Sequence, residues 1–220
     1  SGTSAIHLGL KILGVDKNTE VIVPSLTFIA TVNPILYLKA KPIIFDVGAH
    51  KGESIIFFRE IFQNAQIYCF EPNPDSLKQV KKMNNSNDKI FNVALSNYNG
   101  KADFNIQDIS HLSSLHQVNK QSKSSLGYAE KEKHKVITVD VMTGDKIIKD
   151  NNIKVVDLLK IDVQSNEVQT LEGFKNSLMV IKNIIVEVSF YDFYKNKSSI
   201  FEIEKVIDGF ELYDIFEISK

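Results

Sequence analysis

Short runs rich in isoleucine, valine and phenylalanine recur along this 220-residue chain at residues 42–47, 66–70, 89–95, 155–161 and 183–188, with helix-period segments between them. This alternation constrains the fold more than any other feature. Continuous apolar runs of this kind suit strands covered on both faces. Pro42 can only open its strand, because it has no N–H to give the ladder. The intervening helices have recognisable ends. Pro74 sits just inside the start of a helix over 75–83, with Asn73 as its N-cap. A second helix over 166–171 is closed by Gly173 at a position wanting a left-handed cap, and a third over 199–208 is closed by Gly209. The pattern predicts an α/β fold, a mostly parallel sheet of about seven strands with helices on both faces. Two stretches depart from it. Residues 102–106 behind Asn99-Gly100 read as a strand of a hairpin. Residues 108–135, rich in Ser, Lys, His and Gln, read either as a solvated surface loop or as a substrate-facing lid. The final residues, 210–220, read as one strand.

Composition excludes several classes. With 43% hydrophobic and 24% charged residues the chain can bury a core, unlike a disordered tail or a fibre. A net charge of −1 and a single arginine, Arg59, predict neither a nucleic-acid partner nor an anionic membrane surface. Cys69 is alone, so no intrachain disulfide forms, and the chain fits a reducing compartment. No apolar run has the roughly 18 residues of a membrane span, and no signal-peptide layout opens the sequence. A cytoplasmic location is the expectation. The sequence begins at Ser1 rather than Met, as a fragment would. The five histidines lack metal-ligand spacing, so no metal is expected. His111 and His116 are either solvated loop residues or a general base near neutral pH.

The chemistry-bearing motif follows the first strand. Asp46 ends it, and Gly48, Ala49, His50 and Gly52 lead into a helix. Glycines there let a backbone turn approach a ligand with no Cβ in the way. The second strand ends in Glu71-Pro72-Asn73, and a carboxylate at that tip can accept both ribose hydroxyls of an adenosine. A dinucleotide fold wants Gly-x-Gly-x-x-Gly and a helix N-terminus for pyrophosphate. Here the spacing is Gly-x-x-x-Gly with an acid before it, which repels pyrophosphate but suits a ligand bearing an amino group and a sulfonium. That ligand is S-adenosyl-L-methionine. The glycine pair alone is also what any strand-to-helix turn can show. Asp162, at the end of the fourth strand, either orients methyl donor or acceptor or caps the next helix. Glu167 and Glu187 each either face the acceptor or serve the local structure.

Residues from about 43 to the C-terminus resemble the FkbM family of S-adenosylmethionine-dependent methyltransferases. The matching pieces are Phe45 to Gly52, Phe70 to Asn73, Asn92 to Ser96, Ser113 to Leu115, Leu159 to Val163 with Asn166-Glu167, and Ile185 to Glu187. The resemblance implies a Rossmann-like class I methyltransferase sheet, with the first glycine loop around the methionine part of the cofactor and the second-strand acid on ribose. It also brings Ala94 and Ser114 to the cofactor, and Asp162 and Glu167 to the methyl-transfer end. Gln164 and Ser165 stand where the family usually has Glu and Gly. The activity implied is O-methylation of a sugar or glycan hydroxyl in surface-polysaccharide biosynthesis; the alternative is a non-catalytic adenosine-binding or structural remnant.

The first 47 residues resemble something else. Ser1 to Leu8, Glu20 to Thr31 and Lys41 to Val47 are similar to DegT-type sugar aminotransferases. In that family Gly-Thr holds the phosphate of pyridoxal phosphate and an aromatic at the position of Phe28 stacks on its ring. The strand carrying the acid for the pyridine nitrogen and the Schiff-base lysine have no counterpart here, so no use of that cofactor is expected. The two resemblances meet at 43–47, which fit both, and the chain reads as a chimera. The expected division is an aminotransferase-like helix-strand-helix piece over 1–40 and a methyltransferase domain over 41–220.

Overall fold

The computed structural model describes residues 2–15, 41–107, 112–117, 119, 134–189, 194–195 and 197–215. Helix α1 (Gly2–Ile12) is followed by a gap in that description, so the expected strand and second helix of the N-terminal piece lie outside the described residues. From residue 43 the order is β1 (Ile43–Val47), α2 (Glu53–Ile61), β2 (Gln66–Phe70), α3 (Pro74–Met83), β3 (Lys89–Phe91), β4 (Ala94–Leu95), β5 (Gly100–Gln107), β6 (His134–Met142), α4 (Gly144–Asp150), β7 (Leu158–Ile161), α5 (Glu167–Glu172), β8 (Ile184–Val186) and α6 (Ile200–Val206). Five strands form a parallel sheet in the order β3-β2-β1-β7-β8, and three form a smaller sheet, β4-β6-β5. This is the expected α/β, Rossmann-like arrangement, but the single sheet of about seven strands is corrected: among the described residues the parallel sheet has five, and three others pair separately.

Side-chain alternation assigns the two faces of the large sheet. Phe45, Val47, Tyr68, Phe70, Leu159 and Ile161 join one core, which α4, α5 and α6 cover with Ile147, Leu171 and Ile203. Ile44, Ile67 and Cys69 point the other way, under Ile55 and Phe58 of α2 and Val80 of α3. Both faces are dry, which is why these strands carry uninterrupted apolar runs. Among the described residues no helix is long and apolar enough to cross a membrane.

Several local expectations are corrected. The run 89–95 is two strands in two sheets, because the Asn92 amide turns to donate to the carbonyls of Glu71 and Pro72, both at 2.9 Å, at the point where the chain leaves β2. Asn99-Gly100 does not turn a hairpin. β4 and β5 lie on opposite sides of β6, so β5 finds its antiparallel partner only after the long connection. That connection is described only at 112–117 and 119, so its reading as loop or lid falls mostly outside the described residues. Gly173 is right-handed, φ −66°; it must be glycine because a Cβ would stand 2.2 Å from the carbonyl oxygen of Ser96. Gly209 is left-handed at φ +91°, as expected. α6 starts with a capping box between Ser199 and Glu202. Residues 210–215 form no strand, and the remainder of the strand expected over 210–220 lies outside the described residues.

Candidate active site

The carboxyl ends of the large sheet bring the acidic residues together. Val47 pairs with Phe70 on one side and Ile161 on the other, and Ile161 pairs with Val186. One step further the amides of Gly48, Glu71, Asp162 and Glu187 continue the ladder to the carbonyls of Phe70, Phe91, Val47 and Ile161 at 3.0, 3.1, 3.0 and 2.9 Å. Glu71, Gly48, Asp162 and Glu187 therefore stand in one row across β2, β1, β7 and β8. Gly48 puts no side chain between the carboxylates. Above the row lies a cavity of about 390 Å³, lined by Gly48, Ala49, His50, Glu71, Pro72, Ala94, Asp162, Gln164 and Glu187 among others. Its size lies within the range of small-molecule sites, about 300–1,000 Å³.

At one end, Glu71 is 6% exposed. Its two carboxylate oxygens accept from the amides of His50, at 2.9 Å, and Asn73, at 2.8 Å. Burial pushes its carboxyl up to about 7, the two amides resist, and Asp46 adds repulsion. The turn reaches Glu71 because Gly48 and His50 are left-handed, at φ +78° and +47°.

At the other end, Asp162 and Glu187 share the side-chain amide of Gln164, whose Nε2 donates to Asp162 Oδ1 and to Glu187 Oε2, each at 2.8 Å. Gln164 is itself held: its side-chain oxygen accepts from the Tyr194 hydroxyl at 3.1 Å, and its carbonyl from Ser114 Oγ at 2.5 Å. Burial would raise the Asp162 carboxyl, but Lys160 and hydrogen bonds from Glu187 and Gln164 hold it below the ordinary value. Glu187, solvent-accessible at the cavity rim, moves the opposite way, up to about 8, through desolvation and the charge of Asp162. Two neighbouring acids are thus driven apart in acidity.

Several expected site residues sit behind the cavity rather than in its wall. Asp46 is fully buried and spent on internal partners: Ser54 Oγ at 2.5 Å and Lys160 Nζ at 3.1 Å. Gly52 caps α2 at φ +97°, where a Cβ would approach Met83 Sδ at 2.9 Å. Asn73 caps α3 by accepting from the Asp75 amide while its own amide holds Glu71. Ser114 fixes the Gln164 carbonyl from behind. Glu167 is buried, lies outside the cavity lining and accepts from the Ser165 amide at 3.0 Å, and burial raises its carboxyl. His116 lies outside the lining, half-buried, with burial lowering its imidazole, and His111 lies outside the described residues.

Sequence reasoning missed Lys160. This lysine, in an apolar strand, reaches Asp46, its register partner on β1, donates to the Gly48 carbonyl at 2.9 Å, and lies 3.7 Å from Asp162. Burial alone would lower its ammonium, yet Asp46 and Asp162 hold it above the ordinary lysine value. The available signal was a lone lysine inside a run that should be dry.

Gln164 and Ser165 are left-handed at φ +55° and +84°. Glycine adopts that region freely, whereas serine does so at a cost of about 1–2 kcal/mol. Ser165→Gly is expected to stabilise the fold by about 0.5–1 kcal/mol, the relief exceeding the added chain entropy. Urea denaturation of both proteins checks it; a loss of stability would show that the serine side chain holds the turn.

Residues 46–212 match the Methyltransferase FkbM domain, and residues 1–54 match the DegT/DnrJ/EryC1/StrS aminotransferase family. The 2-O-methyltransferase NoeI of Sinorhizobium fredii is 27% identical over 180 residues, 79% of this chain and 74% of that protein. The hexuronic acid methyltransferase AglP of Haloferax volcanii is 22% identical over 152 residues, covering 66% of this chain and 55% of that one. The GDP-perosamine synthase of Escherichia coli O157:H7 is 54% identical over 46 residues, 21% of this chain but 13% of its own length. The FkbM match covers most of the chain and includes every residue of the carboxylate row, from the end of β1 through β8 to Glu187. From Asp46 to Leu212, the chain belongs to the FkbM methyltransferase domain family.

Proposed function

We propose that the chain transfers a methyl group from S-adenosylmethionine to a sugar hydroxyl. The observation that carries this is Glu71. A buried carboxyl at a cavity wall, held by one backbone amide on each oxygen, keeps lone pairs for two further donors. Vicinal ribose hydroxyls are such donors, so the residues present fit an adenosine. The turn from Gly48 to His50 then borders the methionine part, and Asp162 and Glu187 lie at the methyl end. When bound, the cofactor supplies a methyl group already activated by a positive sulfonium. The protein's part is to align the acceptor oxygen and receive its proton. A sugar acceptor is supported by the names of two relatives, a 2-O-methyltransferase and a hexuronic acid methyltransferase.

The test is binding. Glu71→Ala is expected to weaken S-adenosylmethionine by about 1.5–3 kcal/mol, because two hydroxyls lose a charged acceptor. Calorimetric titration measures this, and an unchanged dissociation constant in a folded variant removes Glu71 from the site. A labelled-methyl assay over glycosides and nucleotide sugars then separates transfer from binding alone.

The division into an aminotransferase-like piece over 1–40 and a methyltransferase domain over 41–220 is part of the same proposal. The overlap of the two family matches at 46–54 supports a joint in β1 and the glycine turn. All cavity-lining residues begin at Val47. A chain starting at Lys39 is therefore expected to bind S-adenosylmethionine as the full chain does, and neither to bind pyridoxal phosphate. Loss of the first affinity in a folded truncated protein would place the N-terminal piece in the site.

A further inference from the structure

The row of carboxylates raises a question of charge. Glu71, Asp162 and Glu187 face the cavity, Asp46 lies directly behind, and Glu167 stands close enough to Glu187 to repel it. Lys160 is the ammonium in contact with Asp46 and Asp162. His50 also favours the charged form of Asp162, but its ring is engaged with Glu53 at 3.1 Å. Full ionisation would leave several negative charges against one fixed cation beside a partly dry wall, an arrangement that draws in protons. Geometry selects where one proton resides. Gln164 binds one oxygen of Asp162 and one of Glu187 at 2.8 Å each, bringing the two carboxyls together, while Lys160 reaches Asp162 at 3.7 Å and acts on Glu187 only as a lesser influence. The proton belongs on the pair, mostly on Glu187.

Resting on the methyl-transfer reading above, we propose that the Asp162–Glu187 pair carries one proton in the unliganded protein, gives it up when the cationic methyl donor enters, and regains it from the acceptor hydroxyl during transfer. The balance closes. The acceptor oxygen forms a bond to the methyl carbon, and the methyl–sulfur bond breaks with its electrons remaining on sulfur. The hydroxyl proton passes to the pair. A sulfonium beside a carboxylate becomes a neutral thioether beside a carboxylic acid, so the summed charge of wall and cofactor is unchanged by the reaction and the product leaves the pair as it was before loading. Glu187 is thus a residue of the proton path, and Gln164 is the positioning residue that joins it to Asp162. An amide suits this role because it donates to both acids, whereas a carboxylate there would add a further negative charge.

The demethylated product, S-adenosylhomocysteine, differs from the donor by that sulfonium methyl and provides the control. Both ligands are titrated calorimetrically at about pH 7 in two buffers of different ionisation enthalpy, which counts the protons released on binding. The donor is expected to release between about half and one proton more than the product, and its relative affinity to rise with pH by up to about tenfold per unit below the titration of the pair. Release from Glu71 cancels, since both ligands present the same ribose. In Glu187→Gln the difference is expected to vanish, and Asp162→Asn serves if that variant does not fold. Equal release by both ligands in the wild type, or an undiminished difference in both variants, overturns the proposal and leaves the methyl-transfer reading standing. Failure of both ligands to bind overturns both.

Discussion

Gly48→Ala is expected to cost about 3–5 kcal/mol of stability, a large part of what holds an ordinary domain together. Two independent faults add. At φ +78° an L-residue meets strain of about 1–2 kcal/mol. The added Cβ would also stand 1.8 Å from the carbonyl oxygen of Asp162 and 2.8 Å from its carbon. That neighbour is backbone, locked by its own amide to the Val47 carbonyl at 3.0 Å, so it cannot swing aside. Relief requires β1 and β7 to part at the centre of the sheet, where Gly48 also donates to the Phe70 carbonyl. The glycine motif points to a ligand that a side chain would displace, and the structure places the collision inside the fold instead. Urea denaturation without any ligand separates the two. A variant that keeps wild-type stability and loses only binding would restore the ligand-clash explanation.

The parts of the fold legible in the sequence were those written in local pattern. Dry strands announce themselves as apolar runs, and Asn73 and Pro74 mark a helix start because capping needs only neighbours in sequence. What was not legible depends on partners far along the chain. Asn99-Gly100 looks like a hairpin turn until β6 arrives to separate β4 from β5. Gly173 looks like a cap, and only the approach of Ser96 shows what its missing Cβ is for. The acids of the site were visible singly, each at the end of an apolar run. Their common row was not, because it follows from a register fixed by three separate strand pairings. The same limitation hid the division of labour between Asp46 and Glu71. Both lie near strand ends, yet Asp46 pairs with Cys69, two positions before Glu71, so Asp46 stays within the ladder and Glu71 stands beyond it in the cavity wall.

Lys160→Met follows from that interior position of Asp46. The side chain of Asp46 is fully buried, that of Lys160 is 15% exposed, and they meet at 3.1 Å in the centre of the sheet. Removing one partner of such a pair leaves an uncompensated buried charge and is expected to cost about 3–5 kcal/mol. The variant also frees the Gly48 carbonyl, which Lys160 holds at 2.9 Å, so donor binding is expected to weaken even where the protein folds. A second substitution identifies the cause. Adding Asp46→Asn removes the stranded charge while keeping an oxygen for the Ser54 hydroxyl, and the double variant is expected to recover most of the loss at neutral pH. Denaturation of the wild type, both single variants and the double variant at neutral pH completes the cycle. A double variant no better than Lys160→Met would show that the lysine acts through packing and the Gly48 carbonyl rather than through the charge of Asp46.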